Sequence, residues 1–287
     1  MILLTGATGR VGAAIGAHLP EAIAPGRNEL DLADPGSIGG ALHRFSPTLI
    51  INCAACTDVD GAETDPARAD ALNHRAVAVM ADHAAGAGIP FVTFSTDYVF
   101  DGASRAPYTE PAPTNPLNEY GRSKLLGEQA ALRYPGSLVI RTSWLFSATH
   151  PSFVWWVLRE AAKGPVGVVS SQTGSPTYAT DLAKAVLEAI DGGVTGLLHL
   201  TNAGAASRLE LARRTCELAG LDGDRVVSVP APDAGARRPD YSVLASERIP
   251  GLPITPLRSW DAALTEMLAT TQPPTTESKP GPAGRSS

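Results

Sequence analysis

Several kinds of functional site are excluded by what this sequence lacks. Its six histidines form no H-x-x-x-H pair and no cluster with its three cysteines, so a dedicated transition-metal site has no support. Cys53 and Cys56 form a C-x-x-C pair, but they directly follow a strand-like run, so we do not interpret them as a redox or metal motif. No apolar run reaches the roughly 18 residues of a membrane span.

Net basic charge is also missing, because 23 basic residues face 29 acidic ones and the formal net charge is −6. Nothing global therefore favours nucleic acid or an anionic membrane surface, and any anionic ligand must be bound by local cations. We expect a cytoplasmic protein.

The chain alternates between strand-like and helical patterns. "ILLTG", "TLIINCA", "PFVTFS" and "SLVIRTS" are apolar and strand-like, and the longer segments between them have helical periodicity. This alternation predicts an α/β fold, a Rossmann-type doubly wound parallel sheet. We predict a dinucleotide-binding domain over residues 1–145 and a smaller, mainly substrate-binding portion over 146–269, with some chain crossing between them. Residues 270–287 have no large apolar side chain to bury, which predicts a disordered tail.

The first strand turns into a helix through the glycines of "TGATGRVG". Gly6, Gly9 and Gly12 carry no Cβ atoms, so backbone N–H groups can approach a diphosphate at the positive end of the following helix. A glycine-rich turn without a ligand is the alternative, and the position at the first strand argues against it.

Arg27 is the first charged residue of "APGRNELDLAD", where dinucleotide folds bind the adenosine ribose. An Arg at this point favours the 2′-phosphate of NADPH. A solvated surface Arg fits the sequence nearly as well.

Tyr120 and Lys124, in "EYGRSK", stand four residues apart in a helical pattern, so their side chains share one face. A Lys ammonium beside a phenol lowers the pKa of the phenol from about 10 towards neutrality, which would let Tyr120 exchange protons near pH 7. A surface pair on an amphipathic helix is the common alternative for this spacing. The glycine turn and the Ser-Thr pair that ends "PFVTFST" favour the catalytic interpretation.

Together these motifs resemble the extended short-chain dehydrogenase/reductase family from Met1 to about residue 268. Within it, "STDYVFDG", "PLNEYGRSK", "RTSWLF", "GSPTYATDLA" and "RRPDYSVL" resemble the dTDP-4-dehydrorhamnose reductases, which reduce a 4-keto-6-deoxy sugar nucleotide. The resemblance implies NADPH or NADH as cofactor and a dTDP-sugar as substrate. It also implies that Thr96 binds the C4 oxygen, that Tyr120 protonates it, and that Lys124 holds the phenol and the nicotinamide ribose.

Binding residues follow from the same resemblance. The implied cofactor contacts are Gly6, Thr8, Gly9, Arg10, Val11, Arg27, Asp31, Leu32, Ala54, Ala55, Tyr120 and Lys124. The implied substrate contacts are Thr96, Asp97, Val99, Trp144, Arg238 and Ser242. Core packing is an equal alternative for Trp144. The adjacent cations Arg237 and Arg238 suit the substrate's diphosphate, which an Arg binds through charge-assisted hydrogen bonds.

The sequence departs from related enzymes at four positions. Tyr98 stands where sugar-nucleotide 4,6-dehydratases, similar to "STDEVYG", carry a Glu base, so dehydration is not expected. No acidic residue precedes Glu21 in the first helix, where some relatives ligate magnesium, so we predict no metal. Gly61 replaces a Lys that is frequent in the family, and Ala245 replaces an Asp or Asn, which leaves the contacts of that last loop open.

Two alternative functions stay open at this point. One is a reductase for another nucleotide sugar in a deoxysugar or antibiotic pathway. The other is a non-catalytic regulatory subunit with the same fold, against which the intact Thr96, Tyr120 and Lys124 argue. The partners that we predict are the dTDP-sugar and a second copy of the chain in a homodimer, without nucleic acid or membrane. The exact sugar and the oligomeric state stay open.

Overall fold

A computed structural model of the chain describes residues 1–232 and 234–271. Its strands are β1 (Ile2–Thr5), β2 (Leu49–Asn52), β3 (Phe91–Thr96), β4 (Ser137–Thr142), β5 (Leu145–Phe146), β6 (Val166–Val169), β7 (Thr173–Gly174), β8 (Thr177–Tyr178), β9 (Gly196–His199), β10 (Ala206–Ser207) and β11 (Val226–Val229). Its α-helices are α1 (Arg10–Gly16), α2 (Pro35–Phe45), α3 (Val59–Thr64), α4 (Pro66–Asp70), α5 (Ala76–Ala87), α6 (Glu119–Leu132), α7 (Phe153–Ala161), α8 (Ala179–Asp191), α9 (Arg208–Leu218) and α10 (Trp260–Thr270). The disordered tail predicted from the sequence lies, from residue 272 onwards, outside the described residues.

The main sheet contains five parallel strands in the order β1-β2-β3-β4-β9. On the free edge of β1, Ile23 forms a single parallel bridge with Leu3. Pro25, which follows closely, lacks the amide hydrogen that further pairing along this edge needs. The predicted doubly wound α/β fold is confirmed.

Helices cover both faces of this sheet. Successive strand residues point to opposite sides, so Leu3 and Ile50 pack towards α2 and α5, whereas Leu4 and Ile51 pack towards α1 and α8. All four side chains are at most 1 % exposed. Strands buried on both faces are apolar throughout, which explains the near-continuous Leu and Ile runs in the sequence.

The remaining strands form three two-stranded sheets beyond the end of β4. β6 pairs with β11, β7 with β10, and β5 with β8. Their hydrophobic core contains residues of α7, α9 and α10. β9 and α8 return to the main sheet from this part of the chain, so residues beyond 145 contribute to both parts.

Candidate active site

The predicted catalytic side chains meet at the carboxyl ends of the parallel strands. Thr96 is the last residue of β3, and Tyr120 lies in the first turn of α6. Asn118 caps this helix: its Oδ1 accepts from the N–H of Gly121 at 2.8 Å. Gly121 packs on the carbonyl oxygen of Tyr98, which would be 2.1 Å from a Cβ atom at position 121. This close approach brings the Tyr120 ring edge-on to the Tyr98 ring, with centroids 5.9 Å apart.

Lys124, which was predicted to activate the phenol, is anchored to β3. Its Nζ donates to the carbonyl oxygen of Phe94 at 2.5 Å, and burial lowers the pKa of Lys124 to about 8. Burial raises the pKa of Tyr120, a hydrogen-bonding interaction with Thr96 opposes this rise, and the negative charge of Asp97 adds to it. The expected lowering of the pKa of Tyr120 is therefore not met, because burial of the phenol raises this pKa.

Asp97 is the most enclosed acid of the site, with 2 % of its surface exposed. Its Oδ1 accepts from the Thr96 hydroxyl at 3.0 Å and its Oδ2 from the Ser242 hydroxyl at 2.6 Å. Burial raises the pKa of Asp97 to about 6, although these hydrogen bonds and the charge of Arg208 oppose the rise. Val99, the other predicted substrate contact of this turn, is fully buried beside Phe100, where its side chain supports the turn from below.

Trp144 carries a cation on its ring. It lies between β4 and β5 in the left-handed backbone region, with φ 45°, and the guanidinium of Arg208 stacks 3.6 Å from its ring centroid. A Cβ atom at Gly174 would lie 2.5 Å from the indole, so only glycine fits against it there. Trp144 also packs against the hydrophobic core that contains residues of α7, α9 and α10, and its contact with the sugar stays a prediction.

Sequence reasoning missed Arg208, which begins α9 directly after the capping residue Ser207. Its charge acts on both Asp97 and Tyr98. Among the described residues Arg208 forms no ion pair, and its guanidinium has a hydrogen-bonding interaction with the Tyr98 side chain. The sequence around Arg208, "SRLELARR", has the pattern of an ordinary capped helix, so it does not indicate a functional residue.

Arg238, the predicted diphosphate ligand, is already paired. It donates to Asp60 Oδ2 at 2.8 Å, and the N–H of Ala236 donates to Asp60 Oδ1 at 2.9 Å. Although burial opposes it, these hydrogen bonds hold the pKa of Asp60 below its ordinary value. The carbonyl oxygen of Arg237 accepts from Asn118, so this loop is fixed to both α3 and α6.

The glycine turn has the geometry of a main-chain ligand cradle. Gly6 adopts φ 68°, and a Cβ atom there would lie 2.5 Å from the amide nitrogen of Ala54. A Cβ atom at Gly12 would lie 2.1 Å from the carbonyl oxygen of Gly6. The N–H of Gly9 closes the turn by donating to Gly6 at 2.9 Å. Only small residues fit such a turn, and a dinucleotide diphosphate is the ligand that its exposed tip suits.

The other predicted cofactor residues surround this turn. Arg10 donates to the carbonyl oxygen of Pro151 at 2.7 Å, and the carbonyl oxygen of Thr8 contacts His150 at 3.1 Å. The side chains of Val11 and Leu32 pack against the two cores of the main sheet. The remaining members lie at or near the surface of the same edge: Arg27, Asp31, Ala54 and Ala55.

Two asparagines that the sequence did not single out fix the strand ends near the turn. Asn52 accepts from Thr5 at 2.5 Å and donates to Thr93 at 3.2 Å, which joins three neighbouring strands. Asn73, in a π-helical turn between α4 and α5, binds both the N–H and the carbonyl oxygen of Cys56. Asn52 belongs to the strand-like run "TLIINCA", but its structural role depends on strand pairing that the sequence alone does not define.

Comparison with known proteins decides the family. The family model described as RmlD substrate binding domain matches residues 1–272. The chain belongs to this family. It is 41% identical to a probable dTDP-4,6-dihydroxy-2-methyloxan-3-one 4-ketoreductase of Streptomyces antibioticus, over 95% of this chain and 97% of the relative. It is also 41% identical to a dTDP-4-dehydrorhamnose reductase of Mycolicibacterium smegmatis, over 96% and 87% of the two chains.

Among solved structures of the RmlD family, a dTDP-4-dehydrorhamnose reductase of Bacillus anthracis in complex with NADP superposes with a TM-score of 0.87. It is 30% identical in sequence, and the match covers 94% of this chain and 99% of that one. The family resemblance inferred from the motifs is confirmed.

Two further observations concern metals and membranes. Across residues 1–232 and 234–271, no three His, Cys, Asp or Glu side chains gather as metal ligands would. None of the helices in the described part of the chain has both the length and the apolarity needed to cross a bilayer.

Proposed function

We propose that this protein reduces the C4 ketone of a dTDP-4-keto-6-deoxyhexose with a reduced nicotinamide cofactor. The observation that carries the proposal is the meeting of Thr96, Tyr120 and Lys124 at the strand ends, beside the glycine turn, in a chain of the RmlD family. When bound, the cofactor supplies the hydride that reaches the C4 carbon.

Tyr120 is the proton donor in this proposal. Its Oη–H bond breaks as the new O–H bond forms at C4, and the phenol is left as a phenolate. Because burial raises the pKa of Tyr120, the phenol is fully protonated at neutral pH, as a proton donor must be. Thr96 holds the ketone oxygen while negative charge builds on it.

Lys124 stabilises the site by its charge. With a pKa of about 8, its ammonium is mostly protonated at pH 7, and it is anchored to β3 through Phe94. From there it holds the nicotinamide ribose, four residues along α6 from the phenol.

Arg208 and Arg238 bind the substrate's diphosphate. The charges of both act on Tyr98, and burial together with the positive charge of Arg238 lowers the pKa of Arg208, so an anion bound near both would stabilise the charged form of Arg208. Arg208, whose guanidinium lies over the Trp144 ring, can supply the bidentate N–H donors that phosphate oxygens accept best. Arg238 keeps its loop in place through Asp60.

NADPH is the preferred cofactor in our proposal, because Arg27 is exposed at the edge where the adenosine ribose binds. We place the reaction in the cytoplasm, a reducing compartment that suits the free thiols of Cys53, Cys56 and Cys216. The homodimer stays a prediction.

A reductase for a different keto-sugar is the second candidate. The relatives include a dTDP-4-keto-6-deoxy-D-glucose reductase of Streptomyces niveus, 38% identical over 92% of this chain. A non-catalytic subunit does not explain why a phenol, a hydroxyl and an ammonium converge here.

One assay separates these candidates. The protein is incubated with dTDP-4-keto-6-deoxyglucose and NADPH or NADH, with and without a 3,5-epimerase, and the absorbance of the reduced cofactor is followed. Turnover that requires the epimerase supports reduction of dTDP-4-dehydrorhamnose. Turnover without it supports the second candidate, and NMR of the product defines the new stereocentre. Absence of turnover under all four conditions contradicts a reductase of these sugars.

A further inference from the structure

Thr96 has one hydroxyl proton, and the structure already uses it. The hydroxyl donates to Asp97 Oδ1 at 3.0 Å and accepts from the backbone N–H of Tyr98 at 3.2 Å, and the Tyr120 phenol also interacts with it. A hydroxyl donates one hydrogen bond and accepts two. With an ionised Asp97, Thr96 therefore has no proton left to donate to a ketone oxygen.

The second oxygen of the same carboxyl group is fixed as an acceptor. Ser242 donates its hydroxyl proton to Asp97 Oδ2 at 2.6 Å. A proton on Asp97 would consequently sit on Oδ1, on the side of Thr96. The Thr96 oxygen would then accept from both Asp97 and Tyr98, and its own proton would be free.

The surroundings allow this protonation near neutral pH. Burial raises the pKa of Asp97 to about 6, so the carboxyl group changes charge within the working range of most enzymes. The titratable and charged groups that face it are Tyr98 on the same turn, Tyr120 on α6 and Arg208 on α9.

We propose that Asp97 is a positioning residue that must carry a proton on Oδ1 during reduction, so that Thr96 accepts from Asp97 and donates to the C4 oxygen. This inference rests on the proposed ketone reduction. The proton is taken up from solvent before the reaction and stays on Asp97 throughout. Only the Tyr120 O–H bond breaks during turnover.

The sign of the pH dependence follows directly. Because the protonated form is the active one, kcat/KM is highest below the pKa of Asp97 and falls as pH rises through about 6. Above that pH the fall is about tenfold per pH unit.

An Asp97→Asn variant tests the hydrogen-bond direction. Its amide nitrogen donates to Thr96 and its amide oxygen accepts from Ser242, which reproduces the protonated carboxyl group without a titration. We expect kcat/KM of this variant to be flat from about pH 5 to about pH 8 and to exceed the wild-type value severalfold or more at the upper end. An Asp97→Ala variant takes no proton from Thr96 but also does not orient its hydroxyl, so its kcat/KM should be flat with pH and lower than that of Asp97→Asn.

A Ser242→Ala variant is the second test, and it keeps the acid in place. Loss of the Ser242 hydrogen bond, which lowers the pKa of Asp97, should move the fall in kcat/KM to higher pH. Thermal melting and cofactor titration of each variant check that fold and cofactor site are intact.

The outcomes distinguish the inference from the proposed function. A wild-type protein without turnover contradicts the ketone reduction itself. A wild-type protein that turns over, with a folded Asp97→Asn variant that is inactive or keeps the wild-type pH profile, overturns the inference alone. If that variant does not fold, an unchanged profile of Ser242→Ala overturns it as well.

Discussion

The two ends of the ligand cleft are built by different means. At the cofactor end, the main chain of the glycine turn makes the surface, and Gly6 and Gly12 are required by contacts with backbone atoms of Ala54 and Gly6 itself. At the substrate end, charged and polar side chains make the surface. Mutations at the first end should therefore act through sterics and binding, whereas those at the second should act through charge and proton supply.

Substitution of the proton donor should have the largest effect. Tyr120→Phe keeps the ring that packs on Tyr98 but removes the proton, so kcat should fall by about 100-fold or more while KM and cofactor affinity change little. Steady-state kinetics measure kcat and KM, and a cofactor titration measures the cofactor affinity. Near wild-type turnover would remove Tyr120 from the mechanism.

A larger side chain in the glycine turn should disrupt the cofactor end of the cleft. In Gly12→Ala the added Cβ atom lies 2.1 Å from the Gly6 carbonyl oxygen, so the turn must shift. We expect a loss of about 1–3 kcal/mol in the free energy of unfolding, together with weaker cofactor binding. Thermal or urea unfolding and a cofactor titration are the measurements.

Gly39→Ala is the matched control for that change. Gly39 is exposed in α2, and no atom lies within 4 Å of a Cβ atom there. This variant should gain about 0.5–1 kcal/mol from helix propensity and keep its cofactor affinity. Equal behaviour of the two variants would refute the steric account of the turn.

Arg208→Gln should act on substrate binding and leave the cofactor end unchanged. Loss of a charge-assisted hydrogen bond costs about 1.5–3 kcal/mol, so KM for the nucleotide sugar should rise by roughly tenfold or more, with a smaller change in kcat. Arg159→Gln on α7, where the side chain is 50% exposed, is the control and should behave as wild type. An unchanged KM in Arg208→Gln would show that the diphosphate binds elsewhere.

Arg27→Ala should have the smallest effect, confined to the choice of cofactor. If the guanidinium meets the 2′-phosphate, KM for NADPH rises severalfold while KM for NADH stays the same. Parallel titrations with the two cofactors decide the matter, since equal changes would make Arg27 a surface residue without this role.

The difference between a main-chain cofactor end and a side-chain substrate end also explains what could be predicted from the sequence. The glycine turn is encoded in consecutive residues, because a strand, a main-chain turn and a helix follow one another there. The order of apolar and amphipathic segments likewise predicts the doubly wound sheet. Thr96 and Tyr120 follow from local motifs, and the structure places them together.

The substrate end depends on pairings between distant segments. Arg208 reaches Trp144 because β10 pairs with β7. Arg238 forms an ion pair with Asp60 of α3, which is distant from it in the sequence. Neither contact can be recognised from a pattern of neighbouring residues in the sequence. Helical spacing correctly predicts that Tyr120 and Lys124 lie on one helix. It does not specify the side-chain rotamer of Lys124, whose ammonium donates to the carbonyl oxygen of Phe94.

The two-residue strand β7 has a consequence for how the enzyme can change its substrate. One of its edges pairs with β10, which leads into Arg208, and the other bonds to the segment that carries Ser242. Gly174 of the same strand touches the indole of Trp144. A single short segment thus fixes the relative positions of Arg208, Ser242 and Trp144, so a change in β7 would move all three groups at once.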